Sequence, residues 1–234
     1  MFTGSTVVLT GVGAEGQVGE VVARAFADQG ASLVLVDRRL EKVSARAEAL
    51  IGAGHQARGY ACDLSDEKAV GDLAMTVRRE HGGRVHALVH MAGGFATSGR
   101  VAESSLEVWN RQITINLTTA YLASRAFIPL LRGGGAIVFF ASQAALPGST
   151  GAEMAAYTAA KSGVAVLARA IAAEERAAGV RANALAPSSI RTVANMKSMG
   201  ESVRYVEREE VAAAVVFLCS DLASAINGQM IALA

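Results

Sequence analysis

Short runs of apolar, often β-branched residues alternate with longer segments of helical periodicity along the whole chain. Two of these runs, LVLV at residues 33–36 and AIVFF at 136–140, are apolar at consecutive positions, which is typical of strands buried on both faces. Such strands require helices on both sides of a parallel sheet. The alternation therefore predicts an α/β fold, a doubly wound parallel sheet of seven strands with helices on both faces.

The pattern also sets approximate element boundaries. The predicted strands are Ser5–Thr10, Ser32–Asp37, Ala57–Cys62, Ala87–His90, Ala136–Phe140, Arg181–Leu185 and Met230–Leu233. The predicted helices are Gly19–Asp28, Leu40–Ile51, Asp66–Glu80, Leu106–Leu131, Ala155–Ala178 and Glu209–Ser220. Asp66 and either Ser104 or Ser105 are placed to cap helices, because their side-chain oxygens can accept hydrogen bonds from first-turn amides.

Composition narrows the class of protein. The chain has 234 residues, 52% of them hydrophobic, and the same Ala, Val and Gly-rich texture runs through both halves without a linker, which predicts a single domain over residues 1–234. Its 22 basic and 21 acidic residues give a net charge of +1, so the chain lacks the excess of basic residues that is typical of proteins binding nucleic acid or an acidic membrane. The expected partner is a small molecule.

Cysteine and histidine usage points to a cytoplasmic protein without a metal site. Cys62 and Cys219 lie far apart and form no C-x-x-C pattern, which is typical of reduced core thiols. The four histidines do not have the spacing of metal ligands, and no acidic residue or cysteine stands near them in the pattern of a metal site. No apolar stretch approaches the roughly 18 residues that a membrane span needs, and no signal-peptide core is present.

A glycine-rich turn follows the first predicted strand. In TGVGAEGQVG, Gly11, Gly13 and Gly16 spell G-x-G-x-x-G between a strand and a helix, the context of a Rossmann-type dinucleotide site. Glycines let the backbone approach a pyrophosphate, and the helix N-terminus attracts its charge. The alternative is an ordinary tight turn, because glycine clusters also form those.

Acidic residues at two strand ends bear on the choice of cofactor. Asp37 ends the second strand, where a carboxylate can accept hydrogen bonds from the ribose hydroxyls and repel a 2′-phosphate, so NAD is favoured over NADP. Asp37 could instead cap the following helix, and Arg38 could pair with a 2′-phosphate. Asp63, at the end of the third strand, is either a partner of the adenine amino group or a loop cap.

Tyr157 and Lys161, in YTAAK, are four residues apart in a predicted helix, so both side chains emerge on one face. A free tyrosine has a pKa of about 10, and lowering it by about 3 units needs about 4 kcal/mol of phenolate stabilisation. Lys161 and the positive charge of a nicotinamide can supply it. The alternative is an exposed tyrosine beside a solvated lysine.

Two further polar residues fall near the same edge of the sheet. Ser142 follows the fifth strand, and Asn116 lies in the preceding long helix. Taken singly, such a serine is usually a turn residue and such an asparagine a structural hydrogen-bonding group.

The ordered set TG…G…G, CDL, MAGG, NL, FFAS, YTAAK and NALAPSSIRT resembles the classical short-chain dehydrogenase/reductase superfamily over essentially the whole chain. The resemblance implies that Tyr157 is the catalytic acid/base and that Ser142 holds the substrate oxygen. It further implies that Lys161 binds the nicotinamide ribose and lowers the Tyr157 pKa, and that Asn116 supports a proton-relay water. The implied cofactor contacts are Gly11, Gly13, Gly16, Val18, Asp37, Arg38, Asp63, Leu64, Ala92, Gly93, Tyr157, Lys161, Pro187, Ile190 and Thr192.

The chain also departs from the family pattern. Its glycine loop is longer than T-G-x-x-x-G-x-G, and His90-Met91 stands where the family has two asparagines. Ser188–Arg208 would form a short substrate lid. The resemblance further implies a homo-oligomer, a tetramer or a dimer, through the alanine-rich faces of Leu106–Leu131 and Ala155–Ala178.

These observations predict an oxidoreductase that interconverts an alcohol and a carbonyl with a nicotinamide cofactor, and 3-oxoacyl or other ketones are among the candidate substrates. The alternative is a non-catalytic dinucleotide-binding sensor or scaffold of the same fold, which the altered glycine loop and His90-Met91 would suit.

Overall fold

A computed structural model describes all 234 residues and contains one parallel sheet of seven strands, as predicted. The strands are β1 (Thr6–Thr10), β2 (Ser32–Asp37), β3 (Gln56–Ala61), β4 (Ala87–His90), β5 (Ala136–Phe140), β6 (Arg181–Pro187) and β7 (Met230–Leu233). Their spatial order is β3-β2-β1-β4-β5-β6-β7. The chain therefore reverses its direction of winding between β1 and β4, and such a switch point opens a crevice at the carboxyl edge of the sheet.

Helices cover both faces of this sheet. They are α1 (Val18–Asp28), α2 (Leu40–Gly52), α3 (Glu67–Glu80), α4 (Leu106–Ile113), α5 (Thr119–Leu131), α6 (Ala155–Glu174), α7 (Val193–Met199) and α8 (Arg208–Cys219). Adjacent strand residues enter different cores: Val8 packs with α3, α5 and α6, whereas Val7 and Leu9 pack with α1, α2 and α8. None of the helices combines the length and the apolar content that crossing a bilayer requires.

Local side chains explain where several elements begin. The Asp66 carboxylate accepts a hydrogen bond from the Ala69 amide at the start of α3, and the Ser105 hydroxyl accepts one from Val108 at the start of α4. Ser105, rather than Ser104, is therefore the cap of α4. Both cysteine thiols are buried and unbonded, and burial raises the pKa of Cys62 to about 11 and of Cys219 to about 12.

The segment predicted as one helix, Leu106–Leu131, contains a π-helical turn at Thr114–Thr118 between α4 and α5. The hydroxyl of Thr119, the first residue of α5, donates to the carbonyl of Ile115 in this turn at 2.9 Å. A π turn widens the helix by one residue, and here it directs Asn116 inward, where that side chain is buried. The predicted end of α6 at Ala178 was too late, because the helix ends at Glu174 and a short 3₁₀ turn follows.

Residues 188–208, expected as a polar lid, contain the unpredicted helix α7. The Thr192 hydroxyl caps it by accepting from the Asn195 amide. Arg191 pairs with Glu207, Nε to Oε1 at 2.6 Å, and lies over the ring of the buried Tyr205. These contacts fold the segment against the carboxyl edge of the sheet.

Candidate active site

Three residues predicted from the sequence converge at the carboxyl end of β5. Ser142 follows that strand, and Tyr157 and Lys161 lie on successive turns of α6, which packs against β5 and β6. The Lys161 Nζ is 5.8 Å from the centre of the Tyr157 ring. The spacing of four residues thus places the ammonium beside the phenol, as the sequence predicts.

Burial dominates the acidity of Tyr157. It raises the pKa of the phenol above its usual value, and the nearby Ser142 hydroxyl lowers it by a smaller amount. Phe95 packs edge-on against the Tyr157 ring, with centroids 5.0 Å apart and planes at 88°. In the protein alone, Lys161 does not lower the pKa of Tyr157 as expected: burial raises this pKa, and only the Ser142 hydroxyl acts against burial.

Lys161 is itself almost fully buried, with 7% of its surface exposed. Its Nζ donates a hydrogen bond to the Phe140 carbonyl at 2.7 Å, at the end of β5. Burial lowers the pKa of this amine to about 8. An ammonium has three hydrogens, so two donors remain for other acceptors, such as ribose hydroxyls.

Asn116 clamps the chain that leaves β4. Its Oδ1 accepts from the Gly94 amide at 3.1 Å, and its Nδ2 lies 2.9 Å from the Gly94 carbonyl and 3.1 Å from two oxygens of Gln112. A β-carbon on Gly93 would stand 2.6 Å from the Asn116 Oδ1, so only glycine fits there. Both polar atoms of the Asn116 side chain therefore form hydrogen bonds within the protein.

The glycine loop fits a pyrophosphate in its backbone geometry. Gly11 has a φ of +76°, and a β-carbon there would stand 2.7 Å from the Ala92 amide nitrogen. The amides of Ala14, Glu15 and Gln17 have no acceptor within the protein, and they lie beside the N-terminus of α1. Open amides at a helix N-terminus suit an anionic phosphate.

Gly16, a predicted phosphate contact, has a different local role. Its amide donates to the Glu20 carboxylate at 2.8 Å, and Glu20 also pairs with Arg46 at 2.9 Å. The Gly16 carbonyl accepts from the Val193 amide at 3.2 Å. This amide is therefore satisfied inside the protein, while Val18 begins α1 with its own amide open.

Asp37 and Asp63 are the two acidic residues predicted for an adenosine site. The Asp37 carboxylate accepts from the Gly13 amide at 3.0 Å and from the Arg39 amide at 3.2 Å, while Arg38 is exposed and forms no ion pair. Asp63 accepts from the amide and the hydroxyl of Ser65, which lower the pKa of that carboxyl. Asp63 thus caps a loop, and the neighbouring Leu64 is a core residue.

The remaining predicted cofactor contacts surround the crevice between β4 and β6. The Ala92 amide donates to the Thr10 hydroxyl at 3.3 Å. Pro187 is buried at the end of β6, and Ile190 forms an isolated bridge with Val206. The buried Thr192 uses its oxygen as the cap of α7, so its hydroxyl hydrogen is left to donate.

Sequence reasoning missed several residues of this site. Gln112 lies one turn before Asn116, and that spacing was a usable signal. Phe95 and Val193 carry no comparable signal, because they reach Tyr157 and Gly16 only through the tertiary fold. Glu153 has a φ of +59°, rare for a residue with a β-carbon, and its carbonyl accepts from the Ser98 and Gly99 amides.

Comparisons with known proteins identify the family. A family model described as enoyl-(acyl carrier protein) reductase matches residues 11–233. A solved short-chain type dehydrogenase/reductase from Mycobacterium ulcerans superimposes with a TM-score of 0.91 and 30% identity, covering 99% of this chain and 89% of that one. The chain belongs to the short-chain dehydrogenase/reductase superfamily.

Two curated members of this superfamily are 37% identical to the chain. One is D-threitol dehydrogenase from Mycolicibacterium smegmatis, aligned over 92% of this chain and 86% of the relative. The other is meso-2,3-butanediol dehydrogenase from Serratia marcescens, aligned over 97% and 92%. As a short-chain dehydrogenase/reductase, the protein is an oxidoreductase that interconverts an alcohol and a carbonyl with a nicotinamide cofactor. The predicted family, fold and reaction class are confirmed.

Proposed function

We propose that this short-chain dehydrogenase/reductase is an NAD-dependent dehydrogenase of small polyols or vicinal diols, with Tyr157 as its acid/base. The observation that carries the proposal is the convergence of the Tyr157 phenol, the Ser142 hydroxyl and the buried Lys161 ammonium at the mouth of the crevice. The substrate class rests on the two relatives at 37% identity, whose printed names are those of a threitol and a butanediol dehydrogenase.

The roles of the protein groups follow from this arrangement. Lys161 and the crevice residues named below would hold a nicotinamide, which would supply hydride transfer to and from the carbinol carbon. Ser142 donates to the substrate oxygen and orients it toward Tyr157. In the reducing direction the buried Tyr157 gives its proton to the forming alkoxide, and the raised pKa keeps it protonated until that moment. In the oxidising direction the Lys161 ammonium stabilises the phenolate.

Cofactor selection is assigned to the adenosine end. The Asp37 carboxylate, held at 3.0 Å by the Gly13 amide, accepts hydrogen bonds from the ribose hydroxyls and repels a 2′-phosphate, which favours NAD. The remaining cofactor wall is formed by Gly11, Gly13, Val18, Ala92, Gly93, Pro187, Ile190 and Thr192. Residues 188–208 cover it as a short lid.

We further infer a cytoplasmic, single-domain protein that assembles as a homo-oligomer, a dimer or a tetramer. Exposed aromatic residues on the helical face of α4 and α5 support the assembly: Trp109 and Tyr121 are 41% and 49% exposed. Large exposed aromatic side chains are typical of protein interfaces. Light scattering of the purified protein measures the oligomeric state, and Tyr121→Arg should reduce it.

The test of the function is a substrate screen with NAD and NADP. Acyclic polyols, vicinal diols and simple secondary alcohols are compared by the absorbance of the reduced nicotinamide. We expect the highest kcat/KM with NAD and a polyol or diol, and a loss of about 10²- to 10⁴-fold in kcat for Tyr157→Phe. Tyr60→Phe is the matched control, because the Tyr60 hydroxyl binds Glu80 far from the crevice.

Three outcomes contradict parts of the proposal. Turnover by Tyr157→Phe equal to that of the wild type would remove Tyr157 from the chemistry. A preference for simple alcohols would overturn the substrate class. Cofactor binding without turnover of any substrate would favour the non-catalytic sensor.

A further inference from the structure

His90 lies at the end of β4, in the centre of the site, and plays no part in the chemistry described above. Its side chain is buried, with 3% of the residue exposed. The Nδ1 atom is 3.1 Å from the Thr10 hydroxyl at the end of β1, and Nε2 is 3.2 Å from the Thr119 hydroxyl at the start of α5. The ring therefore joins two elements on opposite sides of the chain that leaves β4.

The Thr119 hydroxyl sets the direction of the hydrogen bonds around the ring. The Thr119 hydroxyl donates to the Ile115 carbonyl at 2.9 Å, so its oxygen is free to accept from Nε2–H. Nδ1 is then the unprotonated nitrogen and accepts from the Thr10 hydroxyl, whose oxygen in turn accepts from the Ala92 amide at 3.3 Å. This assigns the neutral Nε2–H tautomer.

Charge supports the same state. Burial lowers the pKa of His90 to about 3, and the positive charge of Lys161 acts in the same direction. A proton on Nδ1 alone would turn the Nε2 lone pair toward the Thr119 oxygen, whose hydrogen is used on the Ile115 carbonyl. His90 is therefore a neutral connector near neutral pH.

The two ring nitrogens lead to different parts of the site. Through Thr10, Nδ1 fixes the Ala92 amide and with it Gly93, which line the proposed cofactor wall. On the other side, Nε2 holds Thr119, whose hydroxyl donates to the Ile115 carbonyl in the π turn. Asn116 is the residue that follows Ile115 in this turn. Asn116 in turn clamps Gly94, the neighbour of Gly93, where a β-carbon would stand 3.5 Å from the Lys161 Nζ.

We propose that His90 is a positioning residue with two separable functions: its Nδ1 side sets the cofactor wall, and its Nε2 side sets the Asn116 clamp. This inference rests on the proposed function, because it assumes that Ala92–Gly93 face the cofactor and that Asn116 supports turnover. The geometry itself, two hydroxyls on opposite nitrogens of one buried ring, is independent of the substrate.

Two conservative substitutions separate the two sides. The side-chain oxygen of His90→Asn occupies the place of Nδ1 and keeps the acceptor for Thr10. The side-chain amide of His90→Gln reaches the place of Nε2 and keeps the donor for Thr119. His90→Leu keeps neither. The variants are compared by calorimetric NADH affinity, by kcat at saturating NAD and by thermal stability.

We expect a crossed result. His90→Asn should bind NADH within about twofold of the wild type and lose about 10-fold in kcat, whereas His90→Gln should keep kcat and lose about 10-fold in affinity. His90→Leu should lose both. A purely structural role would lower affinity and kcat together, in proportion to thermal stability, and that result would overturn the proposal.

The matched control is His86→Asn, at the other end of β4, where Nδ1 accepts from the Thr6 amide away from the crevice. It should leave affinity and kcat unchanged. If the His90 variants do not fold, Thr119→Ser and Thr119→Val answer the same question, because only serine keeps the hydroxyl. Equal kcat for these two would overturn the Nε2 side.

A failure of this inference can be distinguished from a failure of the proposed function. The ¹⁵N chemical shifts of the His90 ring report the tautomer without turnover, and protonation on Nδ1 would overturn the geometry. Cofactor affinity tests the Nδ1 side even if no substrate turns over. Absence of turnover in the wild type with intact NADH binding would instead contradict the proposed function.

Discussion

The Val193 amide donates a 3.2 Å hydrogen bond to the carbonyl of Gly16, and a Val193 methyl lies 2.5 Å from the position that a β-carbon on Gly16 would occupy. The first residue of α7 therefore rests on the glycine loop. This contact ties α7 to the loop whose open amides suit a pyrophosphate, so we expect it to slow cofactor release.

Val193→Ala should speed cofactor release. It removes two methyl groups from a contact in which Val193 is 57% exposed, a loss of about 1 kcal/mol or about fivefold in the dissociation rate. Stopped-flow NADH fluorescence measures that rate. Val166→Ala on α6, where the valine is 54% exposed, is the matched control and should leave it unchanged. Equal rates for the two variants would show that the contact does not hold the cofactor.

Lys161→Met should abolish turnover and change how stability depends on pH. The folded protein releases the Lys161 proton near pH 8, while the unfolded chain holds it to about 10.5. Between those values the unfolded state binds more protons, so rising pH favours the folded wild type, by about 3 kcal/mol in total. Urea unfolding should therefore show that the free energy of unfolding rises more between pH 8 and pH 10 for the wild type than for Lys161→Met. An equal change in the two proteins would contradict this prediction.

Asp37→Asn should relax cofactor selection. The amide oxygen can still accept from the Gly13 amide, but the negative charge that repels a 2′-phosphate is gone, and Arg38 is free of ion pairs. The ratio of kcat/KM for NADP to that for NAD should rise about tenfold or more. Adding Arg38→Gln should reverse much of the gain. An unchanged ratio would place the selection elsewhere.

Phe95→Ala should make Tyr157 more acidic. Burial is the main cause of the raised phenol pKa, and Phe95 covers the ring at 5.0 Å. Removing that cover admits water, so ultraviolet titration of the cofactor-free protein should show Tyr157 ionising at lower pH than in the wild type. Phe95→Leu should show a smaller shift. A Tyr157 titration that does not move in Phe95→Ala would assign the burial to other neighbours.

Much of the fold was predictable because its signals are local. Apolar runs marked β1, β2, β4 and β5, because strands buried on both faces have no polar positions to confuse the pattern. β3 and β7 are only partly buried, but their predicted bounds are within one residue of the observed ones. Asp66 was a predictable cap for the same reason, because its partner Ala69 is three residues away. The spacing of Tyr157 and Lys161 placed both on one helical face without knowledge of the fold.

The rest depends on features that no local pattern specifies. The amide of Gly16 is satisfied by Glu20, four residues further on, and nothing in the glycine pattern excludes that carboxylate from the loop. The raised pKa of Tyr157 depends on Phe95 and on burial, which only the folded chain creates. The π turn is likewise invisible in the periodicity, because one extra residue shifts a helical pattern no more than ordinary sequence noise.

The π turn at Thr114–Thr118 makes the site sensitive to a change of a single codon. One residue more than a regular helix allows is enough to bring Asn116 beneath Gly93 and Gly94. Deleting one residue of this turn would produce an uninterrupted helix from α4 to α5, a more regular structure by local criteria. The same deletion would rotate Asn116 out of the crevice. A sequence change that makes this helix more regular would therefore damage the active site.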